Sequence, residues 1–224
     1  MERSQFLARI EQRLATPAPA NLPHPLAAVE GIPDIKPTRP IGEPVEAFVR
    51  VAGQVGSTVR TVASDDDLEA LLDEVCEAEH VEAATLSRDP ETEGVGDRLK
   101  ARGVDIVGFA SPRGIAEVQL GVVGAAWGIA ATGTTVFDAA RAGGRTASLV
   151  PPAILILLPA DRILDQPSDL FRNMADRFAG GPPSQFVLAS GPSRTGDIEL
   201  VLTLGVHGPR AVWVGVLGPS LVRG

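Results

Sequence analysis

From residue 57 onward, short β-branched or apolar runs alternate with stretches of helical periodicity, and a chain with that rhythm has few ways to bury its apolar faces. Residues 57–62 read as a strand. Ser64 followed by Asp67 is a capping box that opens a helix running to about Glu79. Residues 81–86 then read as a strand, 90–102 as a helix and 104–107 as a strand. Successive βα units of this kind predict an α/β fold, a parallel-rich sheet with flanking helices.

After Gly108 the rhythm changes to glycine-rich turns between closely spaced strands, expected over 118–123, 134–137, 146–150 and 154–158. The run Arg141-Ala142-Gly143-Gly144-Arg145 reads as a turn joining two of them, a hairpin inserted in or extending the parallel sheet. A helix over 167–178, a strand over 185–189, a short helix over 197–204 closed by Gly205 and a last strand over 211–217 complete the pattern. No internal repeat of fixed period is visible.

The division expected is a leading segment, 1–44, and one α/β domain, 45–224. Residues 4–14 repeat Phe6, Leu7, Ile10 and Leu14 at helical spacing. Residues 17–44 hold eight prolines, which stiffen the backbone and remove its donors, so this stretch reads as an extended arm. It either wraps its own domain or docks on a neighbouring subunit, which makes a homo-oligomer one expectation.

Composition excludes several classes of function. A net charge of −8, an aromatic content of 4% and the lack of any Tyr leave neither phosphate neutralisation nor a stacking platform, so no nucleic-acid partner is expected. The first residues alternate charged and apolar side chains, unlike a signal peptide, which points to the cytoplasm. The charge-free run 118–137 imitates a membrane span, but its Gln119, glycines and threonines suit buried strands and no membrane insertion.

Cys76, the one cysteine, rules out an internal disulfide, a cysteine-rich zinc site and a cluster held by several of the chain's own thiolates. With Leu68, Leu71, Leu72 and Val75 it lies on one apolar helical stripe and reads as a core thiol. The same helix carries eight acids, read as a solvated face in preference to a metal site or a seat for a basic partner. No metal and no cofactor is expected on this chain.

Three loops place small, hydroxyl or charged residues at the end of an apolar strand. They are Ala130-Ala131-Thr132-Gly133-Thr134-Thr135, Gly191-Pro192-Ser193-Arg194-Thr195-Gly196-Asp197 and Gly205-Val206-His207-Gly208-Pro209-Arg210. In open α/β sheets ligands collect beyond the carboxyl ends of strands, where loops expose N–H groups and helices point their positive ends. In the first loop the hydroxyls of Thr132 and Thr134 around Gly133 could grip an oxyanion, or they are threonines chosen for a strand entry. In the second, Ser193 and Thr195 add hydroxyls and Arg194 a planar fork for a carboxylate or phosphate; alternatively Ser193 or Thr195 caps the following helix and Asp197 complements its dipole. In the third, His207 could be a general acid or base oriented by Asp197 or Glu199, or a turn histidine that fastens two loops. His24 and His80 read as surface residues.

In their order along the chain, Ile129-Ala130-Ala131-Thr132-Gly133-Thr134, Ser148-Leu149-Val150-Pro151-Pro152, Gly191-Pro192-Ser193-Arg194-Thr195-Gly196-Asp197-Ile198-Glu199 and Gly205-Val206-His207-Gly208-Pro209-Arg210 resemble the LUD-domain family, in its lactate utilization protein C branch. The resemblance implies an α/β fold similar to the NagB/RpiA/CoA-transferase group. It implies a role with two iron–sulfur partner proteins that oxidise L-lactate to pyruvate, and it leaves the reaction of this component undefined. Many members carry Glu before the Thr-Gly-Thr run where this chain has Ala131, so a step through that carboxylate is not available here.

Three readings follow: a non-redox component of a lactate-oxidising system that binds its partners or an organic anion through the Arg194 and His207 loops, a stand-alone enzyme acting on a sugar phosphate or acyl thioester, and a ligand-sensing regulator. The second rests on likeness of fold, which is a poor guide to reaction.

Overall fold

All seven residues of Ala153–Pro159 are buried, an apolar run without polar alternation that suits a strand covered on both faces. In the computed structural model this strand lies inside a six-stranded parallel sheet. The structure describes residues 42–108, 114–115, 117–142, 144–177, 185–196 and 202–221, together with 5 and 7–9. The chain divides into a unit Met1–Thr38, described only at residues 5 and 7–9, all helical, and a unit Arg39–Gly224. The rest of the helix expected over 4–14, and the proline-rich arm up to residue 41, lie outside the described residues.

In chain order the strands are β1 Thr58–Val62, β2 Ala83–Leu86, β3 Asp105–Ile106, β4 Leu120–Gly124, β5 Trp127–Ile129, β6 Thr134–Asp138, β7 Ala153–Pro159, β8 Ile163–Leu164, β9 Phe186–Ala189, β10 Arg194–Gly196, β11 Leu202–Leu204 and β12 Ala211–Leu217. The helices are α1 Pro44–Gln54, α2 Asp65–Glu79, α3 Val95–Ala101, α4 Ala139–Ala142, α5 Thr146–Leu149 and α6 Pro167–Arg177. The main sheet has the order β1-β12-β7-β4-β2-β3. Its strands are all parallel. The α/β expectation holds, and the charge-free run 118–137 is β4, β5 and β6, every residue of these strands buried. No described helix is long and apolar enough to cross a membrane.

Side-chain alternation along the strands divides the core. On one face Leu68, Leu71, Leu72 and Val75 of α2 and Leu99 of α3 pack on Val62, Leu120, Val122, Leu155, Leu157 and Trp213. On the other, Phe48 and Ala52 of α1 pack with Val123, Ile154, Ile156, Leu158 and Val214. Cys76 lies half-buried against the first cluster, and burial pushes its thiol pKa up, in keeping with a core thiol.

A smaller sheet, β8-β5-β6-β9, packs Trp127, Ile129 and Val136 with Leu170 of α6. It overturns the expected hairpin through Arg141–Arg145. β6 takes antiparallel partners on both sides, β5 and β9, and residues 146–149 form the helix α5 instead of a strand. The reason lies in the neighbours: Pro151 and Pro152 lack ladder donors, and the Ala147 carbonyl fills the space where a side chain of Gly121 would stand. The helix expected over 197–204 is also overturned where it is described, because Leu202–Leu204 pairs antiparallel with Arg194–Gly196. The helix expected over 90–102 splits at Gly94, whose φ of 78° ends one helical turn before α3 begins.

The capping box forms as expected: the Asp67 N–H donates to Ser64 Oγ at 3.2 Å, and the Ser64 N–H donates to Asp67 Oδ2 at 2.9 Å. Seven of the eight acids of α2 stand at the surface, several of them paired, whereas the Glu79 side chain is only 8% exposed and accepts from Trp213 Nε1 at 3.0 Å. Arg102 bridges Glu69 and Asp73 at 2.6 Å each, Arg98 meets Asp65 and Glu69, and Arg60 reaches Glu74 at 2.5 Å. The Ser64 hydroxyl and then the Ala63 N–H hold the Asp67 carboxyl below the ordinary range, and Arg102 above all does so for Glu69. Both groups therefore stabilise the fold above the ordinary carboxylate pKa, and the contribution is lost as pH falls through their depressed folded values. Thermal melts from pH 7 to 3 should show a shallower acid loss for Asp67→Asn than for the wild type. Ser64→Ala should cost about 1 kcal/mol in urea denaturation at neutral pH.

Candidate functional site at the amino edge of the sheet

Because β1, β12 and β7 are parallel neighbours, the segments that enter them share one rim, the amino edge of the main sheet. Residues 205–210 enter β12 there, beside 149–152 entering β7: the Pro152 carbonyl accepts the N–H groups of Arg210 at 2.8 Å and Ala211 at 3.2 Å. The candidate loops follow strands as expected, but β5, β9 and β11 belong to the smaller sheets. Relative to the main sheet the second and third loops gather at its amino edge, which corrects the expectation of a carboxyl-edge site. The positive helix end expected after the second loop is replaced by the β10–β11 hairpin at 194–196 and 202–204.

The first and second loops meet through hydroxyls. Thr132 Oγ1 lies 2.6 Å from Thr134 Oγ1, which lies 2.7 Å from Ser190 Oγ. Thr134 is buried, while Thr132 and Ser190 are exposed, so a buried hydroxyl is held between two residues that reach the surface. Gly133 holds the first loop against α1: at φ 59° its Cα faces the backbone of Ala52, and a Cβ there would lie 2.5 Å from the Ala52 nitrogen.

The second loop closes on the end of α1 and on the third loop. Arg194 donates from Nη2 to the Val55 carbonyl at 2.8 Å, satisfying an end-of-helix acceptor and placing a cation at the negative helix terminus. The Ser193 N–H donates to the Pro209 carbonyl at 2.8 Å, and the Ser193 carbonyl accepts the Gly205 N–H at 2.9 Å. Thr195 stands opposite Thr203 in the hairpin, and His207 is exposed in the third loop. The structure thus joins Thr132, Gly133 and Thr134 to the second loop through Ser190, and joins Ser193 and Arg194 to the His207 loop. Asp197 and Glu199, the groups expected to orient His207, lie outside the described residues.

Sequence reasoning missed Ser190, whose only signal is its place directly before Gly191-Pro192. It also missed a buried polar cluster at the carboxyl edge. There β2 and β4 are neighbours whose onward connections leave in opposite directions, to β3 and to β7. Ser87 hydrogen-bonds the Asp89 carboxylate, which also accepts the Gly124 N–H at 3.1 Å, and Glu91 pairs with Arg162 at 2.6 Å. Thr92 Oγ1 donates to the Ser87 and Asp89 carbonyls at 2.9 and 2.8 Å and fixes the loop. Ser87-x-Asp89-Pro90 at a strand end was the available signal. Among the described residues no group of three or more His, Cys, Asp and Glu is placed to hold a metal ion.

Comparison with known proteins agrees with this architecture. The chain is 29% identical over 184 residues to the uncharacterized protein YkgG of Escherichia coli, covering 75% of this chain and 78% of that one. It is 29% identical over 160 residues to lactate utilization protein C of Halalkalibacterium halodurans, covering 67% and 70%, and 34% identical over 120 residues to that of Deinococcus radiodurans, covering 52% and 56%. A crystal structure of a DUF162 family protein from Deinococcus radiodurans superposes with a TM-score of 0.58 at 19% identity, over 80% of this chain and 99% of that one, which shows a shared fold. The LUD domain pattern matches residues 45–216, nearly the whole of the sheet-bearing unit, and the chain belongs to the LUD domain family.

Proposed function

We propose that the chain is a non-redox component of a cytoplasmic system that oxidises L-lactate to pyruvate, acting beside iron–sulfur proteins that carry the electrons. The observation that carries this reading is family membership across residues 45–216, together with several relatives named lactate utilization protein C. The amino-edge loops are the part of the molecule through which the component acts. Arg194 and His207 are exposed there, and Thr132, Gly133, Thr134, Ser193 and Thr195 add hydroxyls and backbone donors suited to a small organic anion. His207 is the proton-transfer group in this reading, and Asp197 its orienting carboxylate.

The test is reconstitution. Lactate oxidation by the iron–sulfur proteins should rise when this chain is added, and Arg194→Ala with His207→Ala should reduce that gain about tenfold, the effect of losing a hydrogen bond to a charged group. Equal rates with and without the unaltered chain remove the reading.

A further inference from the structure

We propose that the part of the amino edge where the chain enters β12 and β7 is a docking surface for an acidic protein partner, with an aliphatic centre at Leu149, Val150 and Val206 and a basic rim at Arg194, His207 and Arg210. The inference rests on the lactate-utilization reading and names the surface by which that component meets its partners.

Six large apolar side chains are exposed among the described residues, and three of them belong to this edge: Leu149 at 38%, Val150 at 48% and Val206 at 52%. Backbone contacts bring them together. Pro152, two residues after Val150, accepts the Arg210 and Ala211 N–H groups, while Gly205, beside Val206, packs on Arg210 so closely that a Cβ on it would lie 2.7 Å from the Arg210 Cβ. The Ser193–Pro209 hydrogen bond draws Arg194 to the same rim. Exposed aliphatic side chains on two joined segments, flanked by arginine, fit the anatomy of a protein interface, an apolar centre inside a polar border.

Charge selects the occupant. The chain carries −8 overall, and the exposed Glu82, Asp105 and Glu117 stand where β2, β3 and β4 begin, on the far half of the same edge, so the basic rim is confined to the segments that enter β1, β12 and β7. Glu79 does pair with Arg210 at 3.0 Å, but its side chain is 8% exposed whereas that of Arg210 is 54% exposed, so the outward face is the guanidinium. A second copy docked with this same patch against itself would bring two basic rims together and is disfavoured. An anionic membrane is repelled by the net charge and finds no aromatic residue among the three apolar side chains to anchor at its headgroups. A protein with an acidic border around an apolar patch meets neither obstacle.

The experiment uses the full chain and the purified iron–sulfur proteins of its lactate-utilization system as the probe, with binding followed by surface plasmon resonance. Val150→Asp with Val206→Asp should weaken binding about tenfold or more, as loss of an interface centre does. Arg210→Glu should weaken it mainly through slower association, and raising the salt concentration should reproduce that slowing on the unaltered chain. Far-UV circular dichroism checks that both variants fold. Unaltered binding by both variants overturns the surface, as does sedimentation of the chain as a dimer that Val150→Asp with Val206→Asp splits, or binding of phosphatidylserine vesicles in preference to the proteins. If the unaltered chain speeds lactate oxidation and the aspartate variant speeds it equally, the surface is wrong and the component reading stands. If the unaltered chain neither binds nor speeds oxidation, both fall.

Discussion

Alanine at Gly133 should destabilise the fold by about 3 kcal/mol or more, read as a lower urea midpoint with an unchanged slope. Two costs combine. Gly133 sits at φ 59°, a left-handed conformation that costs an L side chain about 1–2 kcal/mol, and overpacking typically adds about 1–3 kcal/mol. The added methyl would meet backbone, the Ala52 nitrogen at 2.5 Å and Cα at 2.6 Å, so no rotamer change relieves it and α1 itself must move. Gly103→Ala separates the two costs: Gly103 also has a left-handed φ, 79°, but nothing lies within 4 Å of its Cβ position. It should lose only about 1 kcal/mol. Equal losses at the two positions would show that the close approach of the first loop to α1 is wrong, and with it the seating of Thr132 and Thr134 on the rim.

Arg162→Met should cost about 3 kcal/mol, the usual result of removing one partner from a buried ion pair. The Glu91 side chain is 3% exposed, and the substitution leaves its carboxylate in that setting without this guanidinium. The pair also joins the loop after β2 to the turn after β7, so the variant should loosen the carboxyl edge, seen as faster amide exchange at residues 87–92. Pairing Arg162→Met with Glu91→Gln should recover most of the loss, because the second change removes the charge the first exposed. A double variant as unstable as the sum of the two singles would mean that the ion pair contributes no coupling.

These two positions differ in how far they could be foreseen. Gly133 stands in a run, Thr132-Gly133-Thr134, that the sequence marks as an oxyanion-gripping loop or a strand entry, but its contact with Ala52 spans some eighty residues of chain and leaves no local trace. Glu91 and Arg162 come from two turns 71 residues apart, and nothing in either segment names the other. Ser190 is similar: a serine before Gly-Pro is ordinary until folding places its hydroxyl 2.7 Å from Thr134. Helix α1 was missed because Pro44 reads as the end of the proline arm, whereas it is the first residue of a helix, where a missing N–H does no harm.

Features dictated by local chemistry could be read from the residues alone. The capping box at Ser64, the apolar stripe of α2, the strands of the parallel sheet and the family pattern of the four ordered motifs were all legible, because periodicity, capping and β-branching act within a few residues. Long-range packing settled which strands pair, that 146–149 coil against Gly121, that 202–204 pair with 194–196, and that the second and third candidate loops gather at the amino edge of the main sheet. Those outcomes depend on which distant backbone supplies hydrogen-bond partners and which faces are left to cover, and such long-range competition is settled only when the whole chain packs.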